Sequence, residues 1–219
     1  MKKLLTIPML FVCLLGMGQA AGGGNVFSSI SIGTQKWMSK NLDVTTYRNG
    51  DVIPQVTDPD AWGELTTGAW CYYKNDSLNG AIYGKLYNWY AVNDSRGLAP
   101  QGWHIPTDAE WTTLGTLLGG DAVAGGKMKT KGSFKILIDL NDIKFDKSAT
   151  NESGFAGLPG GKRGLEKFNS ISEAGYWWSA SKDDDSTYAW YRFVTNESGK
   201  LNRYDNTKLC GFSVRCLRD

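Results

Sequence analysis

The sequence predicts an α+β fold with two helices, short antiparallel strands and long loops. Three observations lead there. Helical signals are confined to two stretches, one of which carries a complete capping motif. The rest of the chain is short apolar or aromatic runs separated by turn residues. The composition is rich in Gly (27) and in Trp (9), Tyr (10) and Phe (8), which suits a loop-heavy domain rather than a helical bundle. At 219 residues the chain accommodates one such domain behind a leader, and it contains no internal repeat.

Residues 1–20 read as a signal peptide. Lys2 and Lys3 form a basic start, and residues 4–15 form an apolar stretch too short to span a membrane. Gly18, Gln19 and Ala20 follow as a cleavage region. Acylation at Cys13 is the alternative; Val12, rather than a small residue, precedes that cysteine. Gly22–Gly24 make residues 21–31 a flexible lead-in, and 32–219 are the domain. The expected location is therefore outside the cell or on its surface.

Residues 30–47 contain strand-like pieces broken by a Gly33-Thr34 turn, and Asn49-Gly50 marks another turn. Residues 68–73 (GAWCYY) predict a short buried strand. Leu86, Trp89 and Tyr90 are spaced i, i+3 and i+4, which predicts an amphipathic helix over 85–92. Thr107 and Glu110 form a capping box, in which each side chain satisfies a backbone N–H that the first helical turn leaves free. Asp108 adds negative charge at the positive end of that helix. Its apolar stripe is Trp111, Leu114, Leu117 and Leu118, and Gly119-Gly120 ends it. Residues 157–161 (GLPGG) lack the Lys-Ser/Thr of a phosphate loop and read as a turn. Tyr176–Trp178 predict a buried strand. Residues 186–195 and 200–204 flank a four-residue hairpin loop, 196–199, and residues 211–217 form a last strand.

Charge excludes one class of partner. Without Lys2 and Lys3 the 24 basic residues become 22, equal to the 22 acidic ones. Nucleic-acid binders need a basic surplus to release counterions, and no polybasic patch suggests an anionic membrane. With Cys13 in the leader, Cys71, Cys210 and Cys216 remain. Extended chain from Cys210 to Cys216 spans about 20 Å, beyond bridging reach. The expected disulfide is Cys71–Cys216, and three unpaired thiols are the alternative.

Several strings together resemble the Fibrobacter succinogenes major paralogous domain. They are IGTQKWMSKNLDVTTYRNGDVIP (32–54), WCYYKND (70–76), YGKLYNWYAV (83–92), GLAPQGWHIPTDAEW (97–111), GYWWS (175–179) and the GFSVRCLRD end. GWHIPTDAEW and GFSVRC also resemble segments of formylglycine-generating-enzyme-like proteins. The resemblance implies a C-type-lectin-like fold, with paired termini and long loops across one face. Variable proteins of diversity-generating retroelements share that fold and a similar last strand. The polar segment between GYWWS and GFSVRC is then either a diversified face or an ordinary polar loop and hairpin.

Chemistry points away from catalysis. The oxidase relatives need a close copper-binding cysteine pair, and Cys210 and Cys216 match neither its spacing nor its position. His104 is the sole histidine. It cannot build a multi-histidine metal site or, without a nucleophile-elbow serine, a Ser-His-Asp triad. Asp183, Asp184 and Asp185 read as a solvated acidic loop, with calcium as a possible cofactor. What remains is recognition of a protein or glycan ligand, as an adhesin or receptor-binding protein. The alternatives are a structural subunit of a cell-envelope or pilus assembly and, remotely, an oxidase. Strand alternation points Trp190, Val194 and Leu201 inward and Tyr191, Phe193, Asn202 and Tyr204 outward. The expected contact set is Asp183, Asp185, Tyr188, Tyr191, Phe193, Asn196, Asn202, Tyr204, Asp205, Asn206 and Lys208. Tyr188 has the opposite parity, and aromatic rings packed beneath a loop are the competing arrangement.

Overall fold

The computed structural model describes residues 27–137, 142–185 and 187–219. The expected signal peptide and most of the lead-in lie outside the described residues. The chain is a mixed α/β protein with mostly strands and few, short helices. It opens with strands β1 (Ser29–Ile32) and β2 (Gln35–Met38), joined through the Gly33 turn. Helix α1 (Pro59–Gly63), strand β3 (Trp70–Cys71), helix α2 (Ser77–Tyr83) and strand β4 (Leu86–Tyr87) come next. Helix α3 (Trp89–Val92), strand β5 (Trp103–His104) and helices α4 (Asp108–Leu117) and α5 (Asp121–Met128) complete the first half. In the second half the regular elements among the described residues are strands: β6 (Lys135–Leu137), β7 (Ile143–Phe145), β8 (Gly160–Arg163), β9 (Phe168–Ile171), β10 (Ala174–Lys182), β11 (Tyr188–Thr195), β12 (Asn202–Thr207) and β13 (Leu217–Arg218).

The capping box of α4 forms as expected. Thr107 accepts from the Glu110 backbone, and the Glu110 carboxylate accepts from the Thr107 backbone at 2.8 Å. The helix expected over 85–92 is divided. Leu86–Tyr87 pair with β3, and only Trp89–Val92 are helical. Asn88 causes the change: its side-chain oxygen caps Ala91 N at 3.1 Å while also accepting from Ala69 N at 3.0 Å. Gly160 and Gly161, expected in a turn, begin β8.

Two sheets organise the molecule. One has the order β1-β2-β13-β5, so the last strand lies against the first hairpin. The other has the order β12-β11-β10-β8-β9 and is antiparallel except between β10 and β8. Residues 211–213, expected within a continuous strand, instead bridge singly to Arg163, Tyr87 and Trp177. This segment threads between the larger sheet and the β3–β4 ribbon, and brings Phe212 into the core.

The larger sheet is covered on both faces. Tyr176, Trp178, Ala189 and Tyr191 enter one buried cluster with Phe212 and Trp89. Trp177 and Val194 enter a second with Trp37, Trp111 and Phe155. A third, smaller cluster holds Trp62, Cys71 and Leu86.

The Cys71–Cys216 disulfide is not formed; Cys71, Cys210 and Cys216 are all free and buried. Strand alternation explains this. On the β3–β4 ribbon, Trp70 and Tyr87 face the cluster that contains Cys216, whereas Cys71 and Leu86 face the other way. Burial pushes the thiols up, Cys71 and Cys210 to about 11 and Cys216 to about 12. Alkylation of the unfolded, unreduced protein is expected to label all three cysteines. A linked Cys71–Cys216 peptide in the same digest would refute the free-thiol arrangement.

Candidate functional site

The expected contact set divides between a buried floor and an exposed edge. β11 is a central strand, paired with β10 on one side and β12 on the other. Register places Tyr191 opposite Trp178 and Tyr204, and Phe193 opposite Tyr176 and Asn202. These residues therefore share one face. Tyr191 is not outward: it is 5% exposed, with ring centroids 4.6 Å from Phe212 and 6.1 Å from Trp178. Phe193 is half-buried, stacked at 5.6 Å on Tyr176. Both rings belong to the core because Phe212 roofs the part of the sheet that simple alternation assigned to solvent. Burial raises the pKa of the Tyr191 phenol, so it stays neutral.

The face reaches solvent at β12, the edge strand. Tyr204 is 63% exposed there, flanked by half-buried Asn202 and Asn206. Asn206 Oδ1 accepts from Thr207 N at 2.9 Å and from the Cys210 thiol at 3.4 Å, which fixes its side chain. Asn202 Nδ2 donates to Phe193 O at 3.4 Å. Across the sheet, Lys162 of β8 lies 5.0 Å from the Tyr176 ring, a residue pair that the linear sequence did not suggest.

The remaining expected residues have other surroundings. Tyr188 is 39% exposed at the start of β11, and Asp205 is half-buried on the opposite face, paired in register with Trp190. Asp185 accepts from Thr187 N at 2.8 Å and Thr187 Oγ1 at 2.7 Å; these bonds hold its carboxyl below the usual range. Asp183 N donates to Tyr188 O at 3.3 Å, closing the same loop. No group of three His, Cys, Asp or Glu side chains converges on a cation position among the described residues. Asn196 is a strut, its amide donating to Lys135 O and its backbone N to Glu173 O. Lys208 lies 5.0 Å from the Trp89 ring and borders an open cleft of about 400 Å³ with Thr66, Tyr90, Asn93 and Asp94.

The reverse face is anchored to α4. Buried Arg192 donates to Asp108 Oδ1 at 2.9 Å and Thr112 Oγ1 at 2.8 Å. Exposed Arg203 donates to Asp108 Oδ2 at 2.9 Å and stacks 3.4 Å above Trp190. His104 bonds Asp219 at 2.7 Å and Glu110 at 2.9 Å. Burial alone would lower its pKa, but these two carboxylates raise it.

The molecule is thus a strand-rich α/β domain that displays a polar, tyrosine-bearing edge strand on an aromatic floor. Residues 30–218 match the model of the Fibrobacter succinogenes major domain, and the chain belongs to that family. No curated protein and no solved structure matches the chain. Among the described residues, no helix is long and apolar enough to cross a membrane.

Proposed function

We propose that this is a secreted or surface-displayed ligand-binding protein with a C-type-lectin-like fold, whose β12 edge contacts a protein or glycan. The pairing of β13 with β2 supports the fold, since closure of N- and C-terminal segments onto one sheet is what that fold requires. The observation that carries the function is the exposure of Tyr204 between Asn202 and Asn206, all continuous with the buried aromatic floor. A ring held on a rigid strand offers contact area at small entropic cost, and neighbouring amides supply adaptable hydrogen bonds. If retroelement mutagenesis diversifies this segment, an adenine-biased template repeat will lie near a reverse transcriptase gene.

A non-catalytic reading fits the cysteines. Reactive or copper-binding cysteines act as thiolates, and burial raises the Cys210 and Cys216 pKa values instead. A structural-subunit role has one observation in its favour: Leu137, Ile143 and Phe145 of the β6–β7 hairpin are exposed apolar residues that suit a docked neighbour.

The test is to screen the protein on glycan and cell-surface protein arrays and to titrate any hit against Tyr204→Ala. Loss of about 1–3 kcal/mol in binding with an unchanged melt is expected. Full affinity in Tyr204→Ala and Asn202→Ala together would move the site away from β12.

A further inference from the structure

A second cavity, lined by residues entirely distinct from the β12 edge, has a volume of about 400 Å³. Its walls include Lys40, Ile82, Thr130, Ala156, Leu158 and Arg215. Arg215 is 1% exposed and forms no ion pair with a carboxylate among the described residues. Its hydrogen bonds go only to neutral acceptors. Nε and Nη2 donate to Asn41 Oδ1 at 3.1 and 2.8 Å, and Nη1 donates to Met38 O at 3.1 Å and Phe155 O at 2.6 Å. A guanidinium has five N–H bonds, so one on Nη2 is left without a protein acceptor. Burial lowers the Arg215 pKa to about 9, which still leaves it charged at neutral pH.

Buried charges are ordinarily paired, because solvation lost on burial must be replaced. Here the replacement is incomplete, and Arg215 lines a cavity. A second polar atom there is also unmet: Thr130 Oγ1 is buried without a hydrogen-bond partner. Asp43, the carboxylate that lines the cavity, is already ion-paired with Lys85. Exposed Lys40 adds positive charge. Ile82, Ala156 and Leu158 give the cavity an apolar side, beside the polar Ser39, Asn41 and Tyr83.

We propose that this cavity binds a small aliphatic carboxylate, its anionic end at Arg215 and Thr130 and its hydrocarbon end against Ile82, Ala156 and Leu158. A carboxylate has the single charge and the two oxygens that this donor set can serve. A phosphate dianion lacks the hydrocarbon that Ile82, Ala156 and Leu158 would cover. The volume falls within the range of small-molecule sites. Arg215 therefore does two things: it ties β2 to the Phe155 loop through carbonyls, and it presents one N–H to a ligand.

Hexanoate is the probe, titrated into the full-length protein by calorimetry and by NMR, with hexanamide and inorganic phosphate as comparisons. Saturable one-to-one hexanoate binding is expected, with hexanamide weaker by about 10-fold or more through loss of the charge-assisted bond. Ala81→Trp, at an exposed position on the cavity wall, should block binding without disturbing the core. Thr130→Val should weaken it several-fold, and Tyr204→Ala should leave it unchanged. Arg215→Lys is avoided because its carbonyl bonds hold the fold. The proposal fails if the folded protein shows no saturable hexanoate binding, if Ala81→Trp binds as well as the parent, or if phosphate binds more tightly than hexanoate.

Discussion

Replacing Asp146 with Ala is expected to destabilise the protein by about 3–5 kcal/mol, a large share of a typical domain's stability. Asp146 is 7% exposed and ion-paired with Lys129, which is fully buried. Lys129 Nζ also donates to Ser148 Oγ at 2.9 Å and to the carbonyls of Thr195 and Ser198 at 2.7 Å each. It thereby fastens the end of α5 to the loop between β11 and β12. Without Asp146 the ammonium keeps its carbonyl partners but loses its counter-charge in a fully buried position. Burial already lowers the Lys129 pKa, and Asp146 opposes that shift. Urea melts will measure the effect, with Asp146→Asn as a partial rescue that keeps an acceptor for Ser148 N. The double variant Lys129→Met, Asp146→Leu should recover part of the loss, because no unpaired charge remains, but not all, because Thr195 O and Ser198 O lose their donor. A cost below about 1 kcal/mol for Asp146→Ala would mean that water reaches the ammonium.

Local signals in the sequence were legible where a single element decides its own structure. Thr107 and Glu110 announced α4 because a capping box acts within four residues. The β11 strand followed from its aromatic and β-branched run. Other elements depended on distant partners. Ser77–Tyr83 is helical although its Ser, Asn and Gly give no apolar stripe; the cap from Asp76 to Leu78 N, 2.9 Å long, was its only local sign. Leu86 and Trp89 have helical spacing, yet pairing with Cys71 holds Leu86 in a strand. Cysteine spacing could exclude a bridge but could not establish one, since the face that Cys71 occupies is set by β3–β4 pairing. Arg215 gave one faint hint, a charge inside the apolar run from Gly211 to Leu217. Charged side chains normally remain at the surface, so its burial was not inferred.

The candidate face shows the same limit most clearly, and it can be tested directly. Alternation along β11 sorts residues into two sets, but it identifies the solvent set only when one face of the sheet is exposed. Here both faces of β11 are covered, by the cluster that contains Phe212 and Trp89 on one side and by the Trp37–Trp111–Phe155 cluster on the other. Tyr191→Ala should consequently behave as a core truncation and cost about 3–5 kcal/mol, in the range of large aromatic deletions. Tyr204→Ala, its register partner one strand outward, should stay within about 0.5 kcal/mol of the parent, as exposed positions do. Tyr191→Phe separates ring from hydroxyl. It keeps the contacts with Trp178 and Phe212 and removes only the hydroxyl, so about 1 kcal/mol or less is expected. Paired chemical melts of the three variants provide the measurement. Equal stability of Tyr191→Ala and Tyr204→Ala would put Tyr191 in solvent and restore the outward set that alternation suggests. A large gap between them places the edge of the core between β11 and β12, and leaves Tyr204 and its asparagines as the part of the proposed surface that a ligand contacts without touching the packing beneath.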